Sequence, residues 1–195
     1  MKAFLGVIAV LVILALIVGG YFVSTRNQLV TKNETVKSDW AQVDVVLQRR
    51  ADLIPNLVET VKGFAAQEQT VFDDVAKART QYLNAQTPTD KIAASNALYG
   101  MEIKVLQLSE NYPQLKSNEN FLRLQDELAG TENRIAVERK RYDDAIQDYN
   151  TFVGMFPQSI VAGMSGFKRN DAYFAAPEAA REVPKVQFPA PATSH

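Results

Sequence analysis

At 195 residues the chain has room for one membrane-length segment and one ordinary domain, and its formal charge of −1 creates no field favouring nucleic acid or strongly acidic partners. It contains no cysteine, which excludes disulfides, thiolate nucleophiles and zinc–sulfur sites. The single histidine is His195, so triads, histidine acid–base pairs and His-rich metal centres are excluded as well.

Residues 1–3 form a short N-terminal tail before Phe4–Val23, a run of twenty residues without a charge. As a helix it would measure roughly 30 Å, the thickness of a bilayer's hydrocarbon. Fourteen of its residues are Leu, Ile, Val or Phe. Together these favour insertion by roughly 4–8 kcal/mol at most. A transmembrane helix is predicted. The competing reading is a signal peptide cleaved after Gly20, but the apolar run is longer than the usual h-region. Ala15 and Gly19 make a small-xxx-small pair, common by chance in such segments. Arg26, Lys32 and Lys37 follow the span, whereas Lys2 and the α-amine precede it. The positive-inside rule then puts the N-terminus outside and the rest in the cytoplasm.

Residues 24–31 read as a juxtamembrane linker, because Thr31-Lys32-Asn33-Glu34 fits a capping box that would start a new helix. Val36, Trp40, Val43, Leu47, Ala51, Ile54, Val58 and Val61 make one face of that helix. Pro55 predicts a kink near Ala51, or a fresh start capped by Asp52. Thr70-Val71-Phe72-Asp73 is a second candidate box, opening a helix to about Asn84 with Val71, Val75, Ala78 and Tyr82 inward. Thr87-Pro88-Thr89-Asp90 reads as a cap with Pro at the first helical position. The third helix runs to about Asn111, its stripe formed by Leu98, Met101, Val105, Leu108 and Tyr112, and Pro113 ends it. The fourth, Asn118–Phe152, repeats Phe121, Leu128, Ile135, Tyr142 and Tyr149 every seven residues, as a coiled-coil seam does.

Nothing between Arg26 and Met155 alternates like a strand. The fold class is all-α: the transmembrane helix, an antiparallel four-helix bundle over residues 32–156, and an irregular tail over 157–195. In that tail Gly163, Gly166, Pro177, Pro184, Pro189 and Pro191 forbid a long helix, while Ile160, Val161, Met164, Phe167, Tyr173 and Phe174 predict packing of its first part on the bundle.

Three stretches carry a resemblance. The first is Trp40, Asp44 and the run Gln48 to Val58 (QRRADLIPNLV), closing at Val61-Lys62-Gly63. The second is Glu110 to Lys116 (ENYPQLK) leading to Phe121. The third is Thr131 to Ile135 (TENRI), with Arg139, Tyr142 and Asn150 beyond it. With Phe156-Pro157 and Gly166-Phe167, these make the chain resemble the LemA family of bacterial membrane proteins from the anchor to about Phe174. The resemblance implies an N-terminal membrane helix, a cytoplasmic bundle at the bacterial inner membrane, and a loosely defined part in membrane-associated interaction or envelope maintenance. It implies no established reaction.

Among polar residues, Arg49, Arg50, Asp52, Glu132, Asn133 and Arg139 stand out. They read as a site for an anionic ligand or lipid headgroup, or as a charge network between helices; Arg50 lies close to the seam and would need a partner such as Glu132 if buried. The carboxylates Glu59, Asp73, Asp74, Glu102, Glu110, Asp126 and Glu127 lack the histidines that di-metal bundles use. Gly163-Met164-Ser165-Gly166 lacks the basic, helix-flanked setting of a nucleotide clamp. No cofactor, metal, nucleic acid or small-molecule substrate is predicted, and no enzymatic activity. The expectation is a scaffold at the cytoplasmic membrane surface whose partners are the bilayer, further copies of itself and another membrane protein. The alternative is an adaptor or sensor for envelope stress or a membrane quality-control protease.

Overall fold

The computed structural model describes residues 2–174. Its helices are α1 (Lys2–Lys62), α2 (Gln69–Asn84), α3 (Pro88–Ser109), α4 (Glu119–Gly154) and α5 (Gln158–Met164), with a 3-10 turn at Pro113–Ser117. The described residues contain no strand, so the fold is all-α.

The first helix overturns the predicted linker. Lys2–Lys62 is one helix of 61 residues, about 90 Å long, and the chain does not break at residues 24–31. Thr31 does not cap. Its hydroxyl donates to the Asn27 carbonyl at 3.1 Å, one turn back within a helix already running. The reason lies in the packing. Leu29, Val36, Val43, Arg50 and Leu57 recur every seven residues and are all buried, so the inner seam begins before Thr31. A helix start there would forfeit the burial of Leu29. Phe4 to Val18, by contrast, meets no other part of the described residues: its large apolar side chains are exposed. It is long and apolar enough to cross a membrane. An uncovered apolar cylinder of that length needs a bilayer around it, and the chain is a membrane protein.

Pro55 neither starts a helix nor stops one. It has no N–H to give the Ala51 carbonyl four residues back. Arg79 on α2 supplies the missing donor, its Nε lying 3.0 Å from that carbonyl oxygen. Asp52, expected as a cap in one reading, is exposed instead, accepts from Gln48 at 3.0 Å and faces Arg79 at 3.7 Å.

The remaining boundaries follow local chemistry with one exception. Thr87 caps α3 by accepting from the Asp90 N–H at 3.1 Å, and Asn118 caps α4 by accepting from the Phe121 N–H at 3.0 Å. The second predicted box does not form: α2 starts at Gln69, whose side chain donates to Asp73. Its buried face is Phe72, Val75, Ala78 and Tyr82, with Val71 only half-buried. On α3 the buried stripe is Ser95, Leu98, Glu102, Val105 and Ser109, rotated from the apolar stripe read in sequence. Three polar residues hold inward positions there, which hydropathy alone assigns to the outside.

Helices α1 and α4 form the main antiparallel pair. Lys32 stands opposite Asp148, Trp40 packs on Tyr142, and Arg50 meets Glu132, which sets the register over most of α4. The α2–α3 hairpin covers only the distal part of α1, where Lys91 pairs with Asp44 at 2.6 Å. Four helices therefore share a core far from the membrane segment, and α1 with α4 continues towards it beyond the α2–α3 hairpin. At that proximal end α5 packs against both. Residues 165–174 then run back along the pair as an irregular strap.

If Arg79 replaces the hydrogen bond lost at Pro55, Arg79→Met will cost about 1–3 kcal/mol by leaving a buried carbonyl unpaired. The same change will cost less in a Pro55→Ala background, where the backbone donor returns. Chemical denaturation of the four variants measures the coupling.

Candidate functional site

Arg50 stands in the seam of α1 at a position where its heptad neighbours are Val43 and Leu57, and it is 4% exposed. A guanidinium that deep stays charged and must be compensated. Glu132 on α4 makes direct contact with its Nη2. Glu102 on α3, equally buried, lies 3.5 Å from its Nε. The Tyr99 ring covers one face of the guanidinium, 4.6 Å away. One cation thus ties three helices together. Burial pulls Arg50 below the ordinary arginine range, against the pull of Glu102 and Tyr99 in the other direction. Burial likewise raises the Glu102 carboxyl, and Arg50 only partly offsets it.

Around this triad α3 and α4 separate. The gap is a groove of about 430 Å³ lined by Tyr99, Glu102, Ile103, Leu106, Leu128 and Glu132. Its lining mixes apolar side chains with the carboxylates Glu102, Asp126 and Glu132.

Of the six polar residues singled out in sequence, the fold brings together only Arg50 and Glu132. Arg49 is exposed and lines a different shallow groove of about 290 Å³ with Arg123, Asp126, Glu127 and Arg134. Asp52 belongs to the Arg79 contact, and Asn133 is exposed. Arg139 joins a second cluster nearer the membrane segment. Its guanidinium lies 4.4 Å from the Phe174 ring, and burial holds it below the ordinary arginine range.

That second cluster clamps the strap. Trp40, Tyr142 and Phe174 stack within 6.5 Å of one another, and the Phe174 N–H donates to Asp143 at 3.0 Å. Asn150, buried on α4, donates to the Asn170 carbonyl at 2.6 Å and accepts from its N–H at 2.8 Å. Tyr149 donates to the Lys168 carbonyl at 2.8 Å. The Tyr142 hydroxyl is pushed up to about 12, mainly by burial, and remains protonated at neutral pH. Glu102, Tyr99 and Asn150 are the participants that sequence reasoning passed over as site residues. The only available signal was polar residues falling on seven-residue seams, Ser95-Glu102-Ser109 and Arg50 among them.

Among the described residues no group of three or more His, Cys, Asp or Glu side chains is placed to hold a metal ion.

The sequence model of the LemA family matches residues 39–188, a stretch that contains both clusters. The chain belongs to the LemA family. It is also similar to two proteins named magnetosome protein MamQ 1 and MamQ 2 from Paramagnetospirillum magneticum, each 27% identical over 174 residues. Magnetosome protein MamQ from Magnetospirillum gryphiswaldense is 24% identical over 177 residues. The matches cover 76–77% of this chain but 64–65% of theirs, so this LemA chain spans just under two-thirds of the length of these relatives.

Arg50→Met strands Glu102 without its counter-charge and is expected to cost about 3–5 kcal/mol of stability. Adding Glu102→Leu and Glu132→Gln to it should restore most of that loss, read by denaturation in detergent. A second expectation concerns pH. Because burial raises the Glu102 carboxyl above its ordinary 4.5, the folded state holds this proton more tightly than the unfolded chain. Its contribution is complete below 4.5 and is lost as pH rises through the folded value. The wild type should therefore lose melting temperature relative to Glu102→Gln between pH 4.5 and neutrality.

Proposed function

We propose that this LemA-family protein is a membrane-anchored helical scaffold, self-associating or docking partners at the cytoplasmic face of the bacterial inner membrane. It crosses the bilayer once with its N-terminus outside. The observation that carries this reading is the continuity of α1. With no flexible linker between the span and the bundle, the bundle stands as a rod on the membrane, its distal four-helix end roughly 30–60 Å beyond Val23. A rigid rod presents the same faces at a constant height, which suits lateral assembly and avidity. The polar groups at its centre are occupied with one another, and no catalytic reaction is assigned to them. The names of the similar MamQ chains specify a place, the magnetosome, and no reaction.

A second reading, an adaptor or sensor for a membrane quality-control protease, is favoured by the open groove between α3 and α4, whose lining of apolar side chains and carboxylates offers room to a partner segment. Light scattering of the detergent-purified full chain decides between them when paired with crosslinking in cells. A scaffold gives a discrete oligomer that crosslinks mainly to itself. An adaptor gives a monomer that captures a protease, and a strictly monomeric protein with no captured partner would sink both.

A further inference from the structure

The antiparallel register of α1 and α4 locates α5. Arg50 meets Glu132, Trp40 meets Tyr142 and Lys32 meets Asp148. Continued by the same step, the end of α4 at Gly154 falls opposite about Asn27, one turn past the apolar run that closes at Val23. Helix α5 begins four residues later and packs on both α1 and α4. On α1, Thr25 and Leu29 are buried and Phe22 is half-buried against the core. The bundle therefore starts at the very level where the span ends, and α5 is its lowest part.

The outer face of α5 is at odds with water. Val161 and Ala162 are buried inward, while Phe156, Ile160 and Met164, spaced by four, are 81%, 54% and 74% exposed. Met155 is exposed beside them. Scattered exposed apolar residues need no explanation, but these form one contiguous tip. Elsewhere in the described residues the comparable concentration of exposed large apolar side chains is the membrane segment itself. Exposed cations border the tip: Arg26 on α1, and Lys168 and Arg169 in the strap, with Arg169 3.9 Å from Asp171. An apolar tip with basic neighbours at the end of a membrane span is the pattern of an element lying in the headgroup region of a bilayer with anionic lipid.

We propose that α5 and the preceding Met155–Phe156 turn form a second membrane contact, an interfacial wedge that seats Phe156, Ile160 and Met164 in the headgroup–acyl boundary. The occupant of this face is lipid, because the face is continuous with the span on α1 and at its level. The wedge fixes α1 at a second point and braces the rod against tilting. It also gives the tail a membrane-side purpose distinct from self-association. The inference rests on α1 crossing the bilayer between Phe4 and Val23.

The absence of cysteine permits a direct test. Full-length Ile160→Cys, Val12→Cys and Phe64→Cys variants, each carrying an environment-sensitive fluorophore, are reconstituted in phosphatidylcholine–phosphatidylglycerol vesicles. The lipids are brominated near the headgroup end of the acyl chain, near its middle, or not at all. All three sites are exposed, so labelling leaves the core intact. The label at Ile160 is expected to lose at least half its fluorescence with shallow bromines. The label at Val12 should respond to mid-chain bromines, and the one at Phe64, roughly 60 Å beyond the span, to neither. Quenching at Val12 without quenching at Ile160 overturns the wedge and leaves the span standing, including the case in which a second copy covers the tip. No quenching at Val12 removes the span, and the wedge with it.

Discussion

The structure depends on one uninterrupted seam. Leu29, Val36, Val43, Arg50 and Leu57 on α1 face Phe121, Leu128, Ile135, Tyr142 and Tyr149 on α4, both series repeating every seven residues. Repeats of equal period on two antiparallel helices keep their apolar stripes in contact over a long distance. Because α1 also carries the membrane segment, that packing extends the anchor's direction into the bundle. The α2–α3 hairpin, the strap and α5 are all positioned by where they meet this pair. A hinge anywhere in residues 24–31 would separate anchor from bundle; the burial of Leu29 and Thr25 keeps that stretch helical.

Two departures from apolar packing are written into the seam, and both act as register marks. A buried arginine has few acceptable surroundings, since its charge needs acceptors and its plane needs a surface. Glu102, Glu132 and Tyr99 provide these from α3 and α4, so only one rotation of each helix satisfies the site. Nearer the membrane, Asn150 makes paired hydrogen bonds with the backbone of Asn170. It does for the strap what Arg50 does for the helices: one alignment brings the polar partners together, and slipped ones do not. The Arg79 bond to the Ala51 carbonyl belongs to the same class, since it lets a proline sit within a helix that must not bend away from its partner.

These features together make a continuous helical rod joined to a membrane segment. The charges at the polar centre pair with one another, and the open surfaces include the groove between α3 and α4 and the apolar tip of α5. One lies far along the rod and the other at its base. A continuous helix that carries both the apolar segment and the seam sets the distance between that segment and the groove. The LemA family match, residues 39–188, covers the distal part of α1 and all of α2, α3, α4 and α5.

Much of this was legible in the sequence. Twenty uncharged apolar residues can only be reconciled with a long apolar surrounding, and the heptads, Thr87 and Asn118 state helices and their starts through local spacing and local hydrogen bonds. The pairing of Arg50 with Glu132 could be named because an arginine on a seam must find a carboxylate. What the sequence could not decide depends on neighbours distant along the chain. Thr31 presents a sound capping box, and only the burial of Leu29 by α4 and the C-terminal segments overrides it. Pro55 should disturb its helix, and only a side chain 28 residues away prevents the loss. Glu102 looks like any surface carboxylate until α3 turns it inward to Arg50, and Arg49, its sequence neighbour, points elsewhere. Local propensity is a matter of tenths of a kcal/mol per residue, whereas burial of a side chain or a charge is a matter of several, so tertiary contacts decided wherever the two disagreed.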